Sequence, residues 1–585
     1  MTQSPIPNLK SPASKFALSL FVLCALLIPP VRAQSSPPDP RFGAVEALRD
    51  PVAAAEAGVG WERILFYWSE LQPNGPEEWN GYHVPDVWLS QAAAAGREVA
   101  AVLKHSPGWA TDGPAGCGVP RGLDLPVDDP GNLWAAFVRR TVQIYTGRIN
   151  HWIIWNEPDI APQDYGAEWC GSIEEYYQLL KVAYLAAHQA NPDVIIHLAG
   201  LTYFHDTVYV QSYYLERFLE VAAKDPTGQE HGYYFDVVSL HIYFEIRNFD
   251  TILGTTHAAL AAYGLHKPIW VNETDAPPND DPAYPLSEAN YKVSMEEQAS
   301  FLLQAFSLAL SKGAERIAVY KWVVADPPLP GAEPNGVVRP DGSRRPAFDA
   351  YRLITTHYAG AISAHEDRQS LYTVVTLDRG GRTTRVLWAR TEAEVTLSVP
   401  ALATSAQLIE QSGAEQTIEA ADGQYTLLLP RARCADKRGC IIGGPTYLLV
   451  EEGDGAPLLE ATPEPAPTET PAQTALPEAT QAATATTATE TATPLPTLTP
   501  LPTETPPPTA TPTLVPPPTE TATPSPTPPP PPTETAPPAP APIATTALPP
   551  AGSTAPKPPS WIMPVSLAAL MLLATMIGTL FKYQG

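Results

Sequence analysis

From Arg41 to about His357 the chain alternates short apolar runs with longer amphipathic segments. The apolar runs are Phe42–Val45, Arg63–Tyr67, Val99–Leu103, Trp152–Trp155, Val194–Ala199, Val237–His241, Ile269–Asn272 and Ile317–Trp322, eight in all. Apolar runs of strand length separated by helical periods predict parallel βαβ units. Asp50-Pro51 and Asp129-Pro130 each set an N-cap before a first-turn proline, and Ser172/Glu175 and Ser294/Glu297 have the spacing of capping boxes. The helix opened by Ser294 gathers Phe301, Leu302, Ala305, Leu308 and Ala309 on one face and stops at Lys312-Gly313. Eight such units predict a (β/α)8 barrel over residues 34–360. The competing arrangement, an open doubly wound sheet, wants a glycine-rich phosphate loop after its first strand, and none follows Phe42–Val45.

Past the barrel the period changes from helical to two. Leu371–Leu377, Arg385–Ala389, Val395–Val399, Tyr425–Leu429 and Tyr447–Val450 are separated by turns such as Gly380-Gly381 and Asp422-Gly423. They predict a small antiparallel β domain over 365–455 that packs on the barrel.

Composition then divides the remainder. The 69 prolines crowd toward the C-terminus, and residues 461–556 are almost wholly Pro, Thr, Ala and Glu. Such a segment cannot bury enough apolar surface to repay its ordering entropy and is expected to be a disordered stalk, reaching at most roughly 300 Å. Residues 561–581 carry no charge and are long enough for a single transmembrane helix, with Lys582 on the expected cytoplasmic side. Residues 1–33 have the form of a secretory signal: Lys10 and Lys15, an apolar Phe16–Ile28, then Val31-Arg32-Ala33. Together these place the chain on the extracellular side of the cell membrane, single-pass and anchored, most simply as a monomer. A sortase-type wall attachment at Leu548–Gly552 is the alternative anchor.

A formal net charge of −26 excludes the basic footprint of a nucleic-acid binder. Cys117, Cys170, Cys434 and Cys440 outlast the signal, and four cysteines allow three pairings. The expected topology favours Cys117–Cys170 and Cys434–Cys440, since each pair falls in loops that it brings together. No His/Cys cluster suggests a metal site, and no cofactor is implied.

Two strands deliver a carboxylate to their C-terminal tips. Trp155-Asn156-Glu157-Pro158-Asp159 ends the fourth, and Asn272-Glu273-Thr274 ends the seventh. In this fold those tips form the mouth where chemistry sits, and a carboxylate on an apolar strand is expensive unless used or paired. Two carboxylates across one opening suit glycosidic cleavage: one protonates the leaving oxygen, and the other attacks or activates water.

With these residues the barrel resembles the clan A glycoside hydrolases, which include families 5 and 39. The resemblance covers roughly residues 41–357 and is most specific at Asn156-Glu157-Pro158. It implies retaining hydrolysis of β-linked polysaccharide or oligosaccharide, with Glu157 as acid/base and Glu273 as nucleophile. It further implies that Asn156 contacts the sugar 2-hydroxyl, that Arg63 keeps Glu273 ionised, and that Tyr243, after His241, orients it. Trp322 would be a sugar platform, and His105 and Trp109 substrate contacts. Asn272 stands where these families commonly carry Thr or Ser. Each supporting residue also admits a structural role, and a non-catalytic surface carbohydrate-binding protein on a decayed barrel is the alternative reading of the whole.

Overall fold

The computed structural model describes residues 37–453 except 163, 165, 287, 288, 290 and 326–332. The expected signal, stalk and transmembrane segment lie outside the described residues. Among the described residues no helix is long and apolar enough to cross a membrane.

Eight parallel strands make the first layer: β1 (Phe42–Val45), β2 (Trp61–Tyr67), β3 (Glu98–Lys104), β4 (His151–Asn156), β5 (Ile195–Gly200), β6 (Val238–His241), β7 (Ile269–Thr274) and β8 (Arg316–Val319). Their order is β5-β4-β3-β2-β1-β8-β7-β6. Single parallel bridges, His197 to Val237 and Leu201 to Leu240, join β5 to β6 and close the ring. Inward-facing Trp61, Ala100, Val102, Ile153, Val237, Trp270 and Ala318 fill the lumen, so it is a packed core and not a pore.

The helix signals act as expected at three of four starts. Asp50 accepts from the Ala53 amide at 3.0 Å, and both capping boxes form, on helices Ile173–Ala190 and Met295–Ser311. The fourth start shifts. Asp129-Pro130 lies in a turn before helix Leu133–Tyr145, and Asn132 takes the cap by accepting from the Ala135 amide. The nearer polar side chain wins because an N-cap must reach the N3 amide.

The C-terminal part is antiparallel. Strands β9 (Ser363–Arg368), β10 (Tyr372–Asp378), β11 (Arg382–Ala389), β12 (Val395–Pro400), β13 (Ser405–Glu410), β14 (Glu415–Glu419), β15 (Gln424–Leu429) and β16 (Tyr447–Glu452) form a six-stranded sheet, β14-β13-β16-β11-β10-β9, and a ribbon β12-β15. Leu387, Leu397, Leu408, Leu427 and Leu449 pack between the two. Against the barrel, helix Met295–Ser311 is buried on nearly every side. Its polar residues are spent inward: Gln304 donates to the Gly444 carbonyl at 3.0 Å, and Ser300 to Gln411 at 2.6 Å. The β domain is therefore mortared to the barrel wall.

Both expected disulfides are present. Cys117–Cys170 ties the loop after β3 to the loop after β4, and Cys434–Cys440 closes a short loop between β15 and β16. That short loop reaches the barrel, where Arg438 lies 4.0 Å over Tyr291, itself stacked at 4.0 Å on Phe244.

Candidate active site at the barrel mouth

Strand alternation puts Arg63 on the inner face of β2, two residues above Trp61. Across the ring, β4 ends irregularly. Trp155 and Glu157 both take positive φ, 74° and 45°, a conformation that costs a non-glycine residue of order 1–3 kcal/mol. The kink turns Asn156 and Glu157 toward the mouth while Trp155 stays buried. The register between β6 and β7 slips at the same level, so that His241 pairs with Glu273.

These residues form one network. The Arg63 guanidinium donates through Nη1 to Glu273 Oε1 and through Nη2 to Asn156 Oδ1, the latter at 2.5 Å. Tyr243 donates its hydroxyl to Glu273 Oε2. His241 Nδ1 lies 2.6 Å from Glu157 Oε1 and 3.4 Å from Glu273 Oε2. One oxygen of each carboxylate and a nitrogen of His241 all lie within 4.8 Å of one another.

The carboxylates sit in unlike surroundings. The Glu273 side chain is 7 % exposed, whereas that of Glu157 is 20 % exposed at the rim. Burial alone would raise the Glu273 pKa. The attraction of His241 and Arg63, with hydrogen bonds from Tyr243 and Arg63, outweighs it and holds the carboxyl below its usual range. Burial and the negative Glu273 push the Tyr243 phenol well up, keeping it a proton donor. The arrangement thus offers one ionised, fixed carboxylate and one more accessible carboxyl a few ångströms away.

Five of the expected supporting and catalytic residues therefore converge with Glu157: Glu273, Asn156, Arg63, His241 and Tyr243. Three expected contacts do not. Trp322 is fully buried outside the lumen, its Nε1 donating to the Asp50 carbonyl at 3.1 Å and its ring against Phe348 and Tyr351. The reason is that β8 stops at Val319 and the chain turns, so alternation no longer carries Trp322 inward. His105 sits at φ 77° and spends Nδ1 on the Ser69 hydroxyl, 2.7 Å away, beside the edge of Tyr67. Trp109 donates to the Gln72 carbonyl and packs on Trp68.

Others emerge from the structure. Tyr320, half-buried and edge-on to Tyr243 at 6.0 Å, takes the inward position at the end of β8 that Trp322 was expected to hold. Burial and the nearby Glu273 raise its pKa. Asp159 is buried behind Glu157 and accepts from Thr202 and Tyr203 amides at 2.7 and 3.0 Å. Its pKa is raised to about 6 by burial and by the negative charge of Glu157. Its sequence signal was weak: an acidic residue directly after Asn156-Glu157-Pro158 reads as a loop charge.

No family model matches the sequence, and no curated protein matches it. Solved structures are similar. A family 39 glycoside hydrolase from the gut symbiont Bacteroides cellulosilyticus WH2 is 17% identical, matching 71% of this chain and 81% of that one with a TM-score of 0.53. A monomeric β-xylosidase from Caulobacter crescentus CB15 matches at 14% identity over 71% of this chain and 97% of its own, with a TM-score of 0.46. At such identities the first likeness establishes a shared fold, a parallel eight-stranded barrel with an appended β domain.

Proposed function

We propose that the protein is a retaining glycoside hydrolase acting on a β-linked polysaccharide or oligosaccharide. The observation that carries this reading is the pair Glu157/Glu273, with oxygens within 4.8 Å across the mouth, Glu273 being buried and its carboxyl held below the usual range by His241 and Arg63. Retaining enzymes space their carboxyls at roughly 5–5.5 Å, whereas an inverting pair needs about 6.5–9.5 Å to admit water.

In the first step Glu157 donates its proton to the glycosidic oxygen as the C1–O bond breaks. Glu273 attacks C1 from the opposite face and forms a glycosyl ester. Glu157, now a carboxylate, takes a proton from water, which displaces Glu273 and releases the sugar with its original anomeric configuration. Arg63 supports both the nucleophile and Asn156. Because its Nη2 occupies Asn156 Oδ1, the amide presents Nδ2 outward as a donor to a sugar hydroxyl. Tyr243 withdraws its hydrogen bond from Glu273 as the ester forms, and Tyr320 offers an aromatic face at the mouth. The chemistry uses protein side chains and water alone. The signal-like 1–33 and the span 561–581 favour action outside the cell on an anchored chain, with 461–556 as the spacer.

The test uses a panel of p-nitrophenyl β-glycosides and matching tetrasaccharides. Proton NMR of the first product of the best substrate should show the starting anomer. Glu273→Ala should abolish turnover, and azide should partly restore it with a glycosyl azide of opposite configuration. An inverted first product from the unaltered protein overturns the double displacement. Binding of the sugars without any hydrolysis would favour the binding-only alternative.

A further inference from the structure

The His241 ring has an unusual path. It starts on β6, yet its Nδ1 reaches Glu157 at the end of β4, and β5 lies between the two. The ring must therefore cross the tip of β5, and the residue beneath it is Gly200. A Cβ built on Gly200 would lie 2.0 Å from His241 Nε2 and 2.5 Å from Cδ2, far inside any contact that real side chains make. The same glycine is held on both sides. Its carbonyl accepts the Glu157 amide at 3.1 Å, it pairs with Asn156, and the next carbonyl, Leu201, accepts the His241 amide at 2.9 Å. The tip of β5 thus has no freedom to move away from an added methyl group. Nor does the backbone itself demand glycine, for Gly200 lies outside the left-handed region and alanine could adopt its conformation.

We infer that Gly200 is a positioning residue of this site: its missing side chain is what lets His241 lie across β5 and bridge Glu157 and Glu273. The inference rests on the proposed roles of the two glutamates but acts through a steric contact that can be measured without them. His241 Nε2 is buried against this backbone with no partner among the described residues, while Nδ1 faces both carboxylates. Nδ1 is therefore the nitrogen that faces the chemistry, and the contact with Gly200 holds the ring in that orientation. Any residue larger than glycine would tilt the ring, lengthen the 2.6 Å contact and remove the attraction that helps to keep Glu273 ionised.

A double-mutant cycle decides it, with Gly200→Ala, His241→Ala and the two combined, each read by thermal unfolding and by kcat/KM against pH on the best aryl glycoside of the panel. If the methyl group acts through the imidazole, Gly200→Ala alone should lower Tm and cut kcat/KM by about 10- to 100-fold. The acid limb of the profile, which belongs to the carboxylate pair, should move to higher pH, because the buried member Glu273 loses support and must still be ionised to attack. Once His241 is truncated, adding Gly200→Ala should cost little more in either readout, and the double variant should be at least as stable as Gly200→Ala. Additive losses, or an acid limb that stays in place in Gly200→Ala, would overturn the inference. Should no aryl glycoside be turned over, the proposed function falls, while the Tm cycle still tests the contact. Should Gly200→Ala fail to fold, the same criterion applies to the double variant: failure of both sinks the inference, and recovery of folding on truncating His241 supports it.

Discussion

Arg63 gives the sharpest test of how the site holds a buried negative charge. Arg63 is 1 % exposed and Glu273 is 5 % exposed, so neither has water to fall back on. Arg63→Met keeps most of the side-chain volume and removes the charge and both hydrogen bonds. Two costs follow, and pH separates them. Losing the Nη2 bond leaves Asn156 Oδ1 short of a donor, worth about 1–3 kcal/mol at any pH. Losing Nη1 leaves Glu273 buried without its closest cation, and breaking a buried pair by removing one partner costs about 3–5 kcal/mol when the survivor is charged.

The sign follows from the direction of the Glu273 shift. In the unaltered protein its pKa is lowered, so the stability it contributes is present above the unfolded carboxyl value of about 4.3 and is lost as pH falls through the folded one. Without Arg63, burial gains ground and the folded pKa rises. If it passes the unfolded value, the contribution reverses: full stability below about pH 4.3, lost as pH rises through the new folded value. Each unit of rise adds about 1.4 kcal/mol to the deficit at pH 7.5, so a two-unit rise adds about 3 kcal/mol. Urea unfolding of both proteins at pH 4.5, 6.0 and 7.5 measures this as a deficit that widens with pH. Arg63→Lys should narrow it, since charge returns, but should not restore activity in full, because an ammonium cannot fork to Glu273 and Asn156 together. A deficit constant across the range would refute the view that Arg63 stabilises an ionised Glu273.

Trp322→Ala should cost about 3–5 kcal/mol of unfolding free energy and leave KM within about twofold, because the ring packs against helix Pro346–His357 and does not face the mouth. Breaking the Cys117–Cys170 bridge by the double Cys→Ser change opens a loop of sequence separation 53, and urea unfolding should record a loss of about 2–4 kcal/mol. Asp159 has its pKa raised to about 6, so the stability of its protonated form is present below about pH 4 and lost as pH rises through about 6. Asp159→Asn should therefore gain on the unaltered protein by up to about 3 kcal/mol between pH 4 and 7.5, and a flat difference in urea midpoints would contradict the burial of that carboxyl.

What the sequence made legible follows from where each signal comes from. Glu157 and Glu273 stand out because an ionisable group at the tip of an apolar strand is costly, and that cost is visible in one dimension. Ser172/Glu175 and Ser294/Glu297 are legible because a capping box is local. Trp322 rested on the resemblance and on an eighth strand expected to run to it, whereas β8 stops at Val319, where the chain turns and gives the inward place to Tyr320. His105 rested on the resemblance alone: β3 ends at Lys104 and its inward residues are Ala100 and Val102, so alternation gives His105 no place on the inner face. Strands β9, β13 and β14 went unanticipated, and two of them, Ser-Ala-His-Glu-Asp-Arg and Glu-Gln-Thr-Ile-Glu, are largely exposed, with no apolar period to betray them. Gly200 is the extreme case, since a residue whose contribution is an absent side chain leaves nothing for a search of reactive groups to find.

The way the site is wired also limits how its parts can be tested. Asn156, Arg63, Glu273 and Tyr243 form one chain of hydrogen bonds, and His241 ties Glu273 to Glu157 through a single nitrogen. In a buried network of this kind each bond is made under the field of the others, so removing one partner changes the worth of the rest. Losses from single substitutions at these positions should therefore sum to more than the loss in a combined variant, as they do for groups that act as a unit. The pH limbs carry the same consequence. Glu157 and Glu273 share His241 and lie within 4.8 Å, so the two limbs of a rate profile belong to the pair. A limb that moves when only one glutamate is altered reports on both, and assigning it to one of them requires the matching change at the other.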